Sequence, residues 1–411
     1  MMVKQLFNFP FLLAVLFSGV LVSCGDLFGF GGNQNYQPQI PQEGDSVRST
    51  LLVYMMAENN LDRFSQYDID EILMGAVDVP NDCNMFVFVD GVDNPVVLRF
   101  YANRGVATCD TIHRFENDFY SSDIREMENV FDFIFSRYPT RNLNLVLWSH
   151  GDGWVKFHPK TTKSRSIGFD NGENSTAGFP SKASIEAEQL AGLLSSLPMP
   201  VEMLMFDACF MQCIEVVYDL RKSAKWILAS PAEIPANGAP YHKMVKEFLA
   251  KNINPESLMM SYANEYSEDL GVLLSVVDCG KVDAFADIMA ELVPKYFPSD
   301  STLDTSKYFS YLLKHNSYPE FFDIYGVAKT TFSPEDYSVW KEAFDELVVC
   351  SYAANAWETV YNYSYKYVTK KDLFGGVSMY LPMHDSKHSA LNSDFRTLDW
   401  YSAAAWDIAG W

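Results

Sequence analysis

The sequence has few basic residues and no basic segment. Its 411 residues include 31 Lys and Arg against 53 Asp and Glu, which gives a formal net charge of −22. A surface of that sign repels phosphate backbones, and no Lys/Arg-rich stripe interrupts it. The composition therefore argues against nucleic acid as a partner. A cationic ligand, or a substrate with a basic side chain, fits this composition better than nucleic acid does.

Several catalytic signatures are also missing. The sequence contains no His-Glu-x-x-His motif, no phosphate-binding P-loop and no Gly-x-Ser-x-Gly turn. It therefore lacks the usual marks of zinc metalloproteases, P-loop nucleotide hydrolases and serine α/β-hydrolases. The seven cysteines show no dense disulfide framework, and a chain of this length does not need one.

Only one long apolar run is present, and it lies at the N-terminus. It follows Lys4 and ends in Leu21-Val22-Ser23-Cys24, which has the layout of a bacterial lipoprotein signal. A transmembrane helix is the alternative, but the run is short and a Gly/Asn/Gln/Pro-rich segment follows at once. We therefore expect a signal peptide at 1–23, acylation of Cys24 and a flexible tether at 24–48. The mature chain would be anchored in the cell envelope, on an outer membrane, and would face the periplasm or the cell surface.

Beyond the tether, short apolar runs alternate with helical patterns. This alternation predicts an α/β fold with a mostly parallel sheet and helices on both faces. Ser121 or Ser122 is the expected cap of one helix, and Met211–Leu220 is a second. The predicted strands cover residues 50–56, 85–89, 96–101, 143–148, 201–206 and 226–229, with 96–101 as a hairpin partner of 85–89.

The C-terminal part has a different pattern. Residues 285–292 and 339–350 predict amphipathic helices, and residues 376–382 predict a strand that returns to the sheet. We therefore divide the chain into a core at 49–282, a helical insertion or cap at 283–372 and a C-terminal segment at 373–411.

Reactive residues follow two of the predicted strands. His150, beside Gly151, comes after the strand that ends at Trp148, and Cys209 comes after the strand that ends at Phe206. Ligands of open α/β sheets bind beyond the carboxyl ends of the strands, so both residues are expected at the functional edge. An imidazole and a helix N-terminus would both favour the thiolate. The backbone N–H groups of Gly151 and Cys209 are candidate oxyanion donors.

Each residue also has a plainer interpretation. A lone Cys after a strand is usually a core residue, and a lone His beside Gly is often a turn residue. The pair is more informative because both follow neighbouring buried strands. Cys213 is expected to pack inside the helix. A zinc site from Cys209, Cys213 and two histidines lacks a second ligand pair at the usual spacing, so no metal site is predicted.

The segments around His150 and Cys209 read Leu-Trp-Ser-His-Gly-Asp-Gly-Trp at 147–154 and Phe-Asp-Ala-Cys-Phe-Met at 206–211. These two motifs resemble the His and Cys signatures of the clostripain family of cysteine peptidases. The likeness covers roughly residues 49 to 245, and the strand near Gly376 is similar too. That family has a caspase-like fold. The resemblance therefore implies a three-layer α/β sandwich, with a helical C-terminal part added.

The resemblance also implies a mechanism and a substrate class. It implies a dyad of His150 and Cys209 that cleaves after Arg or Lys through an acyl-thioester. Family members have an acid two residues before the nucleophile, at the base of the specificity pocket, and Asp207 occupies that position. A carboxylate is the natural partner of a guanidinium or ammonium group. Glu233 is a second candidate for the pocket. The alternative for Asp207 is a structural cap of the following helix.

Some relatives activate themselves by cutting between the His and Cys motifs. Lys163 and Arg165 are the candidate sites here, and an uncut surface loop is the alternative. No cofactor is required. Clostripain itself depends on calcium, although the whole family does not. The segment that begins at Asp170 lacks the glycine that an EF-type loop has at its sixth position, so no motif supports calcium.

Two other functions remain as alternatives. The first is a non-catalytic envelope lipoprotein that binds basic peptides, which the intact dyad disfavours. The second is a glycan-binding envelope module, suggested by the aromatic residues between Tyr308 and Phe322. Packing within the helical part explains those aromatics more simply.

Overall fold

The computed structural model describes residues 40–155, 167–172, 183–311, 321–359, 365–386 and 388–411. They belong to one compact unit, which begins at Pro38. The predicted lipidation site Cys24 and the predicted cleavage sites Lys163 and Arg165 lie outside these residues. Within the described ranges, no helix has both the length and the apolarity needed to cross a membrane.

The described residues form strands and helices in alternation. The strands are β1 (Ser49–Met56), β2 (Cys83–Asp90), β3 (Val96–Asn103), β4 (Val106–Arg114), β5 (Leu143–Trp148), β6 (Ile167–Asp170), β7 (Ala183–Ile185), β8 (Val201–Asp207), β9 (Trp226–Ala229), β10 (Leu273–Asp278), β11 (Phe322–Asp323), β12 (Val348–Ala353), β13 (Ala356–Thr359), β14 (Tyr365–Val368) and β15 (Ser378–Met379). The α-helices are α1 (Asp62–Gly75), α2 (Ile124–Arg137), α3 (Ala187–Ser196), α4 (Ile214–Leu220), α5 (Tyr241–Phe248), α6 (Pro255–Ala263), α7 (Val282–Tyr296), α8 (Ile324–Thr331), α9 (Pro334–Leu347), α10 (His388–Phe395) and α11 (Asp399–Ala403).

One large sheet organises the fold. Its nine strands lie in the order β12-β10-β9-β8-β5-β1-β2-β3-β4. The central strands from β9 to β2 are parallel, whereas β10, β12, β3 and β4 pair antiparallel at the two edges. The predicted mostly parallel sheet is confirmed.

Helices cover both faces of this sheet. Successive residues of β1 point to opposite sides, so Leu52 and Tyr54 join one buried cluster while Leu51 and Val53 join the other. Helices α2, α3, α4 and α7 contribute to the first cluster, and α1, α5 and α6 contribute to the second. The result is a three-layer α/β sandwich, as predicted.

Two helices begin later than predicted. The cap of α2 is Asp123, whose side chain accepts a hydrogen bond from the Arg125 backbone N–H, while the Ser121 hydroxyl donates to Asp170 instead. Helix α4 begins at Ile214, with Cys213 as its cap residue, and not at Met211. Cys209 is therefore five residues away from the start of a helix.

The C-terminal part contains more strand than predicted. Helix α9 ends at Leu347, so Cys350 lies on the edge strand β12 and not on a helix. Of residues 376–382 only Ser378 and Met379 form a strand, which pairs with β11 outside the large sheet. The segment 283–372 thus supplies an edge strand as well as helices; its domain boundaries stay a prediction.

Candidate active site

The register of the sheet brings His150 and Cys209 to one place. Strands β5 and β8 are parallel neighbours, and their last residues, Trp148 and Asp207, are paired. His150 and Cys209 each follow two residues later. Both border a cavity of about 670 Å³, which Gly151, Asp207 and Glu233 also line. All the described residues that the sequence assigned to the site therefore meet at the carboxyl edge of the sheet.

The two loops approach each other so closely that Gly151 has no room for a side chain. A Cβ atom on Gly151 would lie 2.8 Å from the Cys209 carbonyl oxygen and 3.1 Å from Ala208 Cβ. Phe210, directly after Cys209, has a φ of 61°, which is uncommon for a residue with a side chain. Its N–H donates to the Ala232 carbonyl at 3.0 Å, which helps to hold this turn.

Asn60 orients the histidine, although neither of the two sequence motifs includes it. His150 Nε2 lies 2.7 Å from Asn60 Oδ1. Since an amide oxygen only accepts, Nε2 must carry the proton, which leaves Nδ1 as the nitrogen that can take one. The ring also packs against Phe169, with ring centroids 5.1 Å apart. The position of Asn60 directly after β1, at the same sheet edge, is the signal that could have identified it.

Asp207 lines the cavity and lies in a network of hydrogen-bond donors. Its Oδ2 accepts hydrogen bonds from the Tyr241 hydroxyl at 2.9 Å and the Ala239 N–H at 3.0 Å, and its Oδ1 accepts one from the Tyr262 hydroxyl at 3.1 Å. The side chain is buried. These partners precede α5 or lie on α5 and α6, so the alternative that Asp207 caps the helix after Cys209 is wrong.

A second buried carboxyl group lies near Asp207. Asp68 on α1 accepts a hydrogen bond from Trp148 Nε1 at 2.6 Å. Burial, and then the charge of Asp207, raise the pKa of Asp68 to about 9. Burial also raises the pKa of Asp207. Since two negative charges are costly in this position, a positive charge entering the cavity would stabilise the ionised carboxylates.

Cys209 is partly exposed as a residue, but protein surrounds its thiol and favours the protonated form. Burial raises the pKa of Cys209 well above its ordinary value, and the charge of Glu233 raises it further. The Ile234 N–H, 3.4 Å from Sγ, opposes this shift. Because α4 begins only at Ile214, the expected help from a helix N-terminus is absent at Cys209. The proton must therefore be removed by a base when the thiol reacts.

Glu233→Gln is expected to make Cys209 more reactive. Removing the negative charge beside the sulfur lowers the thiol pKa, so alkylation by iodoacetamide at pH 8 should be roughly 3- to 10-fold faster. Mass spectrometry of the Cys209 peptide measures the rate. Glu358, an exposed acid that also borders the cavity, provides the matched control, and Glu358→Gln should leave the rate unchanged. An unaltered rate in Glu233→Gln would contradict the assigned electrostatics.

Cys213 does not join Cys209 in a metal site. Its side chain is fully buried in the apolar cluster below α4. It is a core residue, but it is the N-cap residue of α4 and does not lie inside the helix as predicted.

Comparison with known proteins gives the family. The model of the clostripain family matches residues 53–411. A secreted C11 cysteine protease from Bacteroides thetaiotaomicron, solved with an irreversible peptide inhibitor, is 29% identical, with a TM-score of 0.75 over 88% of this chain and 99% of that chain.

Two further solved structures share the fold. An inactive zymogen C11 protease from Parabacteroides distasonis is 22% identical, with a TM-score of 0.75 over 89% of this chain and 99% of that one. A secreted C11 cysteine protease from Bacteroides thetaiotaomicron called iotapain is 19% identical, with a TM-score of 0.71 over 88% and 99%. A search of the curated proteins found no match. From the family match, which covers the strands, the cavity and both motifs, we conclude that the chain belongs to the clostripain family and is a cysteine peptidase.

Proposed function

We propose that this peptidase cleaves peptide bonds after Arg or Lys, with Cys209 as the nucleophile and His150 as the general base. One observation carries the proposal. The register of β5 and β8 brings both residues to a single cavity, which the buried side chain of Asp207 also lines.

The reaction follows from the donors and acceptors of this site. His150 Nδ1 accepts the thiol proton, and the thiolate attacks the carbonyl carbon of the scissile bond. The N–H groups of Gly151 and Cys209 stabilise the oxyanion; within the described residues neither donates a hydrogen bond elsewhere. The C–N bond then breaks, and the imidazolium gives its proton to the departing amine. Water, deprotonated by His150, hydrolyses the acyl-thioester and restores the thiol.

Asp207 supports the basic specificity. Its two oxygens accept from two tyrosine hydroxyls and one backbone N–H, which hold the carboxyl group in place beside the cavity. A guanidinium or ammonium group that reaches it gains a charge-assisted partner in a place shielded from water. Glu233, also buried beside the cavity, adds negative charge to the pocket.

Activation by self-cleavage at Lys163 or Arg165 is part of the proposal. The raised thiol pKa supports a latent state before the cut, because little thiolate is present at neutral pH. On a gel, the purified chain should show two fragments that are absent from Cys209→Ala. An intact unmutated chain that already cleaves peptides at full rate would remove this step.

We further propose that Cys24 is acylated and anchors the enzyme in the cell envelope, where it meets protein or peptide substrates. The supporting pattern is the apolar run that ends in Leu21-Val22-Ser23-Cys24. No cofactor takes part in the reaction as proposed.

A glycan-binding role has little structural support. The described aromatics of the segment, Tyr308, Phe309, Tyr311, Phe321 and Phe322, are all buried. They pack in the core and present no exposed platform for sugar rings.

A fluorogenic peptide assay tests the proposed function. The full chain, purified in mild detergent before and after brief trypsin treatment, is mixed with peptides ending in Arg, Lys, Ala or Asp, beside the Cys209→Ala control. We expect the fluorophore to be released only from the peptides that end in Arg or Lys. The Cys209→Ala control should release none. The proposal would be contradicted if neither form cleaved any peptide, or if the Ala peptide were cleaved as fast as the Arg and Lys peptides.

Asn60→Ala is expected to lower kcat roughly 10- to 100-fold with little change in KM. The hydrogen bond to His150 fixes the tautomer and the ring orientation, so its loss slows proton transfer, whereas Asp207 and Glu233, which would hold the basic side chain, stay unchanged in the same cavity. Asn60→Asp keeps an acceptor and should restore much of kcat, while shifting its pH profile upward because a carboxylate favours the imidazolium. Equal losses in kcat for both variants would show that Asn60 only supports the loop.

A further inference from the structure

The active-site cavity extends to a two-stranded hairpin in the C-terminal part of the chain. The hairpin consists of β13 and β14, which pair antiparallel with Glu358 opposite Lys366. Glu358 borders the same cavity of about 670 Å³ as His150 and Cys209. A cavity of this size has room for more than one residue of a peptide. The hairpin can therefore contact a part of the substrate other than its basic side chain.

The backbone of Glu358 points away from β14. In an antiparallel pair, residues that exchange hydrogen bonds alternate with residues whose N–H and C=O groups point outwards. The Thr369 N–H donates to the Asn355 carbonyl at 2.9 Å, and by this alternation Ala356 and Glu358 are the outward-facing residues of β13. The Gly271 N–H agrees with this assignment, since it reaches the Ala356 carbonyl, at 3.0 Å, from a segment other than β14.

The outward groups of Glu358 are available to a ligand. Within the described part of the chain, no neighbouring segment forms a hydrogen bond with the Glu358 N–H or C=O. Leu270 and Gly271 also line the cavity, and the pairing of Gly271 with Ala356 stops short of Glu358. The cavity thus takes the place of a further strand beside Glu358. Unpaired strand edges bind extended peptides through main-chain hydrogen bonds.

The core holds the hairpin in place. Successive strand residues point to opposite faces, so Trp357 faces away from the exposed side chain of Glu358. Trp357 is buried, and its ring centroid lies 5.9 Å from that of Phe309 and 5.6 Å from that of Tyr367. Because Trp357 anchors β13, the edge at Glu358 is formed before a peptide arrives, and binding needs little ordering of the protein.

We propose that an extended segment of the peptide substrate pairs with β13 as an added strand. A backbone N–H of the peptide donates to the Glu358 carbonyl, and a backbone carbonyl of the peptide accepts from the Glu358 N–H. The pairing rests on the proposed function, because the same peptide must present its scissile bond to Cys209. Main-chain pairing is independent of side chains, so it adds a preference for extended, unstructured peptide to the preference for Arg or Lys.

Kinetics with peptides of graded length test the pairing. The full chain is treated with trypsin, which is then removed, and is mixed with substrates in which Arg stands alone or has three alanines before or after it. Mass spectrometry of the products gives kcat/KM. We expect kcat/KM to be roughly 5- to 100-fold higher for the extension that reaches β13, because two more hydrogen bonds hold the peptide.

A pair of proline variants makes the test specific to the edge of β13. Glu358→Pro removes the outward N–H and no hydrogen bond of the hairpin, so it should reduce the gain from extension roughly 3- to 10-fold. Lys366→Pro makes the same backbone change directly opposite, on the far edge of β14, and should keep the gain.

Substrate esters test the Glu358 carbonyl in the unmutated protein, which keeps the pairing testable if Glu358→Pro does not fold. Replacing the amide whose N–H donates to Glu358 by an ester should lower kcat/KM roughly 3- to 10-fold. The pairing is overturned, with the proposed function intact, if all lengths give equal kcat/KM or if neither Glu358→Pro nor any ester reduces the gain. If no Arg or Lys peptide is cleaved, both are overturned.

Discussion

Replacing His150 by alanine is expected to lower kcat/KM for Arg- and Lys-ended peptides by roughly 10³-fold or more. The raised pKa of Cys209 means that the thiol does not ionise by itself at neutral pH. His150 must remove that proton and later protonate the leaving amine, and general acid–base steps are each worth about 10² to 10⁴ in rate. Burst and steady-state kinetics on the trypsin-treated chain measure the loss.

The control and the double variant separate catalysis from folding. His113→Ala, on the edge strand β4 where the ring stacks on Phe133 with centroids 4.3 Å apart, should retain full kcat/KM. The effects of substitutions at residues that act together on one reaction do not add. The double variant His150→Ala/Cys209→Ala should therefore be no slower than Cys209→Ala alone. Residual activity in His150→Ala within 10-fold of the unmutated protein would contradict its role as the base. KM should change little, since the specificity pocket is built from other residues.

The sequence predicts the parts of this site that depend on strands. Buried parallel strands appear as continuous apolar runs, so β5 and β9 could be placed to the residue, and the order of strand and reactive side chain put His150 and Cys209 at one edge. The edge strand β12 alternates partly exposed and exposed residues next to α9, and a helical pattern describes that stretch equally well. Its strand character depends on pairing with β10, which local sequence does not encode.

The rest of the site depends on contacts between distant segments. Tyr241 and Tyr262 reach Asp207 from helices 34 and 55 residues further along the chain, and no local pattern marks a tyrosine as a partner of a buried carboxylate. Asn60 reaches His150 across 90 residues. The sequence predicts too early a start for α4, at Met211, whereas the chain at Phe210 has a positive φ and the helix begins at Ile214. The prediction that a helix N-terminus lies at the Cys209 thiol is wrong for this reason.

Asp207→Asn is expected to lower kcat/KM for Arg and Lys peptides by roughly 10² to 10⁴ while leaving neutral peptides unaffected or improved. The amide keeps the volume of the carboxyl group, and its oxygen can still accept from Tyr241 and Ala239. Its NH2 group then faces Tyr262, whose hydroxyl can turn and accept. Only the charge is lost, and a cationic side chain buried against an amide has no counter-charge.

The pH dependence provides a second test of Asp207. Burial raises the pKa of this carboxyl group, so its protonated, neutral form persists to higher pH than for an exposed Asp. Since only the ionised form attracts Arg or Lys, kcat/KM for basic peptides should increase as pH rises through that raised pKa, and Asp207→Asn should abolish this limb of the profile. Asp68→Asn is the matched control, because Asp68 is a nearby buried acid that bonds Trp148. It should retain the preference for basic peptides, within roughly 10-fold. If Asp207→Asn keeps that preference as well, the specificity lies elsewhere in the cavity, with Glu233 the first residue to test.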